Sequence, residues 1–241
     1  MQAENVFYIK LSDLIIEMHS DFDYTKRYCE NYITDSCDVP DIVAEASREQ
    51  IKAEKLAGGQ NLPDEYCENT CLYRSIAEQL PHFDRVVFHG AAIEVNGKGY
   101  VFTAPSGTGK TTHIKLWMEK FGDKVKVVNG DKPILRLRDD GVAISSTPWM
   151  GKEKLGCKTE VMLGSSVLLK RSTENKMSRI APNQCFGELV RQFYLPQENT
   201  SKLKTLDVID RMLKNVPIYL LECDMSTDAA ELSYKTLTDE Q

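Results

Sequence analysis

Residues 100–113 read YVFTAPSGTGKTTH, and this run decides the fold. The aromatic and β-branched stretch at 100–103 predicts a strand. Ile114, Trp117, Met118 and Phe121 follow at i, i+3, i+4 and i+7, which predicts a helix that Gly122 ends. Between them, Ala104-Pro-Ser-Gly-Thr-Gly-Lys-Thr111 fits the phosphate-loop pattern, with alanine at the first glycine position. Strand, glycine-rich loop and helix N-terminus are the arrangement that phosphate binding needs. Gly107 and Gly109 let the backbone turn tightly and aim its amides at phosphate oxygens, and the helix adds its partial positive charge. Pro105, Ser106, Gly107, Thr108, Gly109, Lys110, Thr111 and Thr112 are therefore the predicted nucleotide-binding set. Lys110 would reach the β- and γ-phosphates of ATP, and the Thr111 hydroxyl would bind Mg²⁺.

Outward from this run, the pattern continues as an α/β protein with a mixed sheet. Residues 85–95 and 99–104 flank Asn96-Gly97, a dipeptide suited to a type I′ turn, and so predict a hairpin feeding the loop. Further strands are predicted at 124–129, 161–170 and 216–223. A helix is expected with Phe186, Leu189, Val190 and Phe193 on its apolar face, and another from Asp228, where Asp228 and Glu231 have capping-box spacing. Before residue 80 the reading is a small α+β region: strands within 5–18 and 39–46, a polar helix at 48–56, a turn-rich linker at 58–63 and a helix at 64–80. The chain thus divides into a region 1–80, of no legible role, and a core 81–241 that carries the chemistry.

A phosphoryl-transfer site also needs an acid near the metal. Lys126-Val-Val-Asn-Gly-Asp131 delivers Asp131 from the end of a strand, where ligands collect in α/β sheets; metal binding and a simple turn acid are its two readings. His89, on the strand entering the hairpin, reads by composition as a structural residue. In 147–154 (TPWMGKEK), Lys152 or Lys154 could neutralise charge on a transferred phosphoryl group, or the loop could be solvated with Trp149 as an apolar anchor. His113 reads as structural. Leu56-Ala-Gly-Gly-Gln60 resembles the signature of ABC-type ATPases but precedes the phosphate loop, and reads as linker.

Of 241 residues, 30 are Lys or Arg and 36 Asp or Glu, a formal charge of −6 that argues against nucleic-acid binding. No apolar run approaches the ~18 residues of a membrane helix, and no secretory leader is legible. Seven cysteines, an odd number, read as reduced thiols of a cytoplasmic protein. Cys67 and Cys71 share a helix face but lack a second ligand pair for zinc.

Taken together, Phe88-His-Gly-Ala, the phosphate loop through His113, Leu116-Trp117, Asn129-Gly-Asp-Lys-Pro133 and Thr147-Pro-Trp-Met-Gly-Lys152 resemble the catalytic domain of HPr kinase/phosphorylase, whose fold is shared with phosphoenolpyruvate carboxykinases. The resemblance spans about residues 60–240. It implies a kinase that uses ATP and Mg²⁺ on a hydroxyl of a peptide, a phosphocarrier protein or a small molecule, and a possible homo-oligomer. In the family two adjacent acids follow the strand, one tied to the metal and one proposed as the base. Here the first position is Gly130, and only Asp131 remains. Three readings stay open: Asp131 serves both roles, His89 deprotonates the acceptor, or the chain is a nucleotide-binding sensor with little turnover. Carboxykinase activity fits least, since the chain leaves little room for that enzyme's larger substrate domain.

Overall fold

A computed structural model describes residues 5–36, 38–59 and 61–239. Cys37 and Gln60, which belong to the cysteine set and the linker read above, lie outside them. Strict alternation of buried Phe7, Ile9 and Leu11 with outward residues makes β1 (Asn5–Leu11), which pairs antiparallel with β2 (Leu14–Ser20). A short helix α1 (Asp23–Tyr28), β3 (Ile33–Thr34) and β4 (Ile42–Ala44) follow, giving a four-stranded sheet in the order β3-β1-β2-β4. Helix α2 (Arg48–Gly58) starts at a capping box in which Ser47 and Gln50 bond each other's backbone, and α3 (Asp64–Gln79) covers the sheet.

The second sheet has nine strands. The run from Arg85 is not continuous: β5 (Arg85–Val87) ends before residues 88–90, and β6 (Ala91–Val95) begins after them. Asn96 and Gly97 both take positive φ, 53° and 76°, and turn β6 into β7 (Lys98–Thr103) as expected. Helix α4 (Lys110–Phe121) and β8 (Lys126–Asn129) follow. A hairpin of β9 (Ile134–Arg138) and β10 (Gly141–Ser145), the long β11 (Glu160–Arg171), β12 (Lys176–Arg179), α5 (Pro182–Val190), α6 (Asn199–Asn215), β13 (Ile218–Cys223) and α7 (Thr227–Asp239) complete the chain. The sheet order is β5-β9-β10-β11-β7-β6-β8, with β13 parallel to β11 and antiparallel to β12. The fold is mixed α/β. Among the described residues no helix is long and apolar enough to cross a membrane.

The pleat of β7 shows how the layers form. Val101 points into a core shared with α5 and α6, while Tyr100 and Phe102 point into one shared with α4 and α7. A third core holds the first sheet and α3 together with Val87, Ile134 and Trp149 of the second part, so the two sheets share buried surface. Two expectations are corrected at the C-terminal end. Phe186 is half exposed, and α5 ends at Val190, so Phe193 reaches the core from the segment beyond the helix. Helix α7 begins at Thr227, so Asp228 lies inside it rather than at its cap, and the Glu231 carboxylate pairs with Lys120 and Lys235. Cys67 and Cys71 are buried with Ile51, and the six described cysteines are free thiols.

His113 is 3% exposed on α4. Its Nε2 lies 3.1 Å from Trp117 Nε1 and 3.2 Å from Ser233 Oγ, and burial pulls its pKa from 6.5 down to about 4. The unfolded chain therefore binds this proton between those values and the folded chain does not. Stability from His113 is complete above pH 6.5 and is lost as the pH falls towards 4, by roughly 3 kcal/mol. In urea melts across that range, His113→Gln should flatten the pH slope by about that amount relative to the parent; parallel slopes would refute it.

Candidate functional site

Three strand ends converge because of one pairing pattern. Strand β6 lies between β7 and β8 and runs antiparallel to both, so the C-termini of β7 and β8 and the N-terminus of β6 meet at one sheet edge. Ala91 pairs with Phe102, and Ala92 with Asn129. His89 lies two residues before the first pair, Ala104 two after it, and Asp131 two after the second.

The loop from β7 to α4 is held open by its own backbone. Gly107 and Gly109 sit at φ 78° and 126°, with no atom within 4 Å of where a Cβ would stand; conformation, not crowding, demands glycine there. The amide and hydroxyl of Thr108 donate to the Pro105 carbonyl, at 3.3 and 2.8 Å. Arg171, at the end of β11, donates to the carbonyls of Thr108 (3.0 Å) and Gly107 from outside. Lys110 is buried, and its Nζ donates across the loop to the Ala104 carbonyl at 2.9 Å. Burial lowers its pKa, Asp131's charge opposes that, and Lys132 adds to it. No side chain caps α4 and no acid stands in its first turn, so the helix presents unscreened positive potential above the loop. Pro105, Ser106 and Thr112 are exposed around that opening, and Thr111 is half-buried.

Asp131 is aimed by a buried asparagine. Asn129 Oδ1 accepts from the amides of Asp131 (2.9 Å) and Lys132 (2.8 Å), while its Nδ2 donates to the carbonyl and hydroxyl oxygens of Thr147 (3.0 and 3.1 Å). The Asp131 carbonyl accepts from Gly90 N at 2.9 Å. Its carboxylate lies 3.3 Å from His89 Nε2 and 3.6 Å from Lys132 Nζ. Burial alone would raise the Asp131 pKa, but the His89 hydrogen bond and the charges of Lys132, His89 and Lys110 outweigh it and hold the group below its ordinary value, ionised at neutral pH. The other ring nitrogen, His89 Nδ1, meets Gln192 Oε1 at 3.1 Å, and His89 N donates to the Gln192 carbonyl at 2.7 Å. His89 is thus not on a strand but in the break between β5 and β6, fixed on both sides.

The segment 146–159 closes over this edge. Gly130 N donates to the Leu155 carbonyl at 2.8 Å and Cys157 N to the Val127 carbonyl at 3.1 Å, so the segment runs beside the end of β8. A Cβ at Gly130 would stand 2.8 Å from the Met150 carbonyl and 3.1 Å from that of Leu155, and one at Gly151 would press on Asp131 Cβ at 3.1 Å. Trp149 is the anchor: 7% exposed, it packs on Tyr73 of α3 with ring centroids 5.2 Å apart. Its Nε1 has no hydrogen-bond partner among the described residues. Lys152 is exposed at the rim, one residue from Gly151.

The structure therefore brings the 104–112 loop, His89 and Asp131 to one edge and leaves Lys152 beside it. Sequence reasoning missed Arg171, Lys132 and Gln192. Arg171 and Gln192 arrive by long-range contacts without a local signal, although Lys132 adjoins the acid. Among the described residues no three His, Cys, Asp or Glu side chains cluster as a self-sufficient metal site. Mg²⁺ bound with a nucleotide draws most ligands from phosphate and water, so one hydroxyl (Thr111) and one ionised carboxylate (Asp131) fit that chemistry.

No family model and no curated protein matches this chain. Among solved structures, it is similar to the Hpr(Ser) kinase/phosphatase from Coxiella burnetii, at 10% identity and a TM-score of 0.38, over 64% of this chain and 94% of that one. At that level of likeness the chemistry has to be read from the site's own residues.

Restoring an acid at position 130 should fail on steric grounds. Gly130→Asp and Gly130→Ala should each cost about 2 kcal/mol, because two backbone carbonyls must move. Urea unfolding would show it, and an unchanged midpoint would contradict the packing described.

Proposed function

We propose that this chain binds a nucleoside triphosphate such as ATP on the 104–112 loop and, with Mg²⁺, transfers the γ-phosphoryl group to a hydroxyl acceptor. One observation carries the reading: the uncapped α4 N-terminus with Lys110 fixed across its loop stands at the same sheet edge as an ionised Asp131. Loop amides and Lys110 hold the phosphates. Thr111 and Asp131 would hold Mg²⁺, and the bound ion would supply positive charge to the phosphate oxygens. The acceptor's proton has the Asp131 carboxylate at hand, with His89 Nε2 hydrogen-bonded to that carboxylate. Gln192 keeps the imidazole turned towards Asp131. Lys152, at the rim, neutralises charge on the group in transfer. The acceptor is a peptide, a phosphocarrier protein or a small molecule with a free hydroxyl, and the protein works in the cytoplasm.

A second reading, a nucleotide sensor with little turnover, is favoured by Gly130, where the packing of Met150 and Leu155 excludes a second acid. Incubation with γ-labelled ATP, Mg²⁺ and hydroxyl acceptors of the three classes separates the two. Transfer is expected, and Lys110→Ala should lower it at least ~100-fold. Transfer that survives Lys110→Ala would overturn the proposal, and tight ATP binding without transfer would favour the sensor. Asp131→Asn should reduce turnover by about 10²- to 10³-fold while nucleotide affinity changes less than about tenfold, measured by calorimetry.

A further inference from the structure

Four of the chain's ten tyrosines gather where α1 packs on α3. Tyr24 and Tyr28 stand at i and i+4 on α1, and Tyr66 and Tyr73 at i and i+7 on α3, so each pair shares a helix face. The Tyr24 and Tyr28 rings lie 5.8 Å apart, and the Tyr73 ring meets those of Trp149 at 5.2 Å and Tyr194 at 6.2 Å. Exposure grades along the set, from 45% at Tyr66 through the half-buried Tyr24 and Tyr28 to 9% at Tyr73, so the rings run from solvent inwards.

The inner end of this set is at the candidate site. Lys132 Nζ lies 3.6 Å from the Asp131 carboxylate and 5.7 Å from the centre of the Tyr73 ring, one ammonium joining acid and ring. Burial pushes the Tyr28 phenol up to about 12 and that of Tyr73 up too, and the Asp131 charge adds to both, so both rings stand near that carboxylate. Lys110 of the phosphate loop acts on the same group, whose side chain keeps 28% of its surface open. Asp131 therefore joins the loop assigned to the phosphates to two helices that no step of the transfer has yet used. A hydroxyl alone needs only the Asp131 end of them. Rings spread outward over two helices offer rigid, amphipathic area to whatever flanks that hydroxyl, at low entropic cost.

Building on the proposed function, we infer that α1 and α3 form the acceptor side of the site and that the acceptor is an extended peptide segment. Its serine or threonine hydroxyl reaches Asp131 beside Tyr28 and Tyr73, and its flanking residues lie on Tyr24 and Tyr66. In the transfer the hydroxyl oxygen bonds the γ-phosphorus as the bond from that phosphorus to the β,γ-bridging oxygen breaks. The nucleoside diphosphate leaves with that electron pair, and the hydroxyl proton passes to the Asp131 carboxylate. The region before residue 80 thereby selects the acceptor, while the phosphate loop holds the donor.

Short degenerate peptide mixtures with one central serine, N-acetylserinamide and glycerol, each offered to the full chain with γ-labelled ATP and Mg²⁺, test this. The peptides should be phosphorylated with an apparent kcat/KM at least about 30-fold above that of either small acceptor. Tyr66→Ala removes an exposed ring and Tyr24→Ala a half-buried one. Each should raise the apparent KM for the peptides about five- to tenfold and change kcat less than about twofold, and Tyr66→Phe, which keeps the ring, should restore the parental KM. Equal kcat/KM for peptides and N-acetylserinamide, or a parental KM in both alanine variants, would overturn the acceptor assignment while the transfer reading stands. ATP binding without transfer to any of the acceptors would overturn the transfer reading, and the acceptor assignment with it.

Discussion

Because β6 is hydrogen-bonded antiparallel to β7 on one side and to β8 on the other, two strands far apart in function must end at the same place. A strand register has a period of two, and slipping either pairing by one residue would turn every side chain to the opposite face. The register here is fixed by burial on both faces: Val101 on one side, Tyr100 and Phe102 on the other. The distance from each paired position to its functional residue is two residues in all three cases. The site is thus a consequence of sheet pairing rather than of any local motif alone, and the loop at 104–109 gains its partner acid only through β6.

The second constraint is the segment 146–159. Trp149 buries a large aromatic surface against Tyr73, in a core that also holds the first sheet. That contact ties the region before residue 80 to the segment lying over Asp131, where Gly130 is small because two backbone carbonyls pass close and Gly151 because the Asp131 side chain does. The buried Asn129 joins the same arrangement, bonding Asp131's turn on one side and Thr147 on the other. A protein of net charge −6 that is to attract a polyanion needs a local reversal of sign. Lys110, Lys132 and the uncapped end of α4 supply it within a few residues of one another in space.

Much of the α/β pattern was legible because its signals are local. Asn96-Gly97 has few other uses than a type I′ turn, and the 3.6-residue spacing from Ile114 to Phe121 has one structural meaning. What was not legible depended on distant chain. The run from Arg85 to Val95 looks like one strand, yet Val87 must pair with Ile134 at the far edge of the sheet while Ala91 pairs with Phe102. The β9–β10 hairpin does carry a local signal, Asp140-Gly141 between two apolar-rich runs, and the helix α6 carries an amphipathic one. In the candidate site, the loop and Asp131 stood out as sequence. Gln192 and Arg171 did not, since Gln192 reaches His89 from 103 residues away and Arg171 reaches the loop through the parallel pairing of β11 with β7. The absence of an acid at position 130 was visible in the sequence; that no side chain fits there was not.

The claim on which everything else rests is that the 104–112 loop and the Asp131 turn form a single anion-binding edge. Amide hydrogen exchange of the full chain, with and without a saturating non-hydrolysable ATP analogue and Mg²⁺, addresses it directly, because the loop amides are the groups assigned to phosphate. The expected result is new protection in both residues 104–113 and residues 129–132, two segments separated in sequence. Protection of only one of the two segments, or none at saturation, would contradict the account.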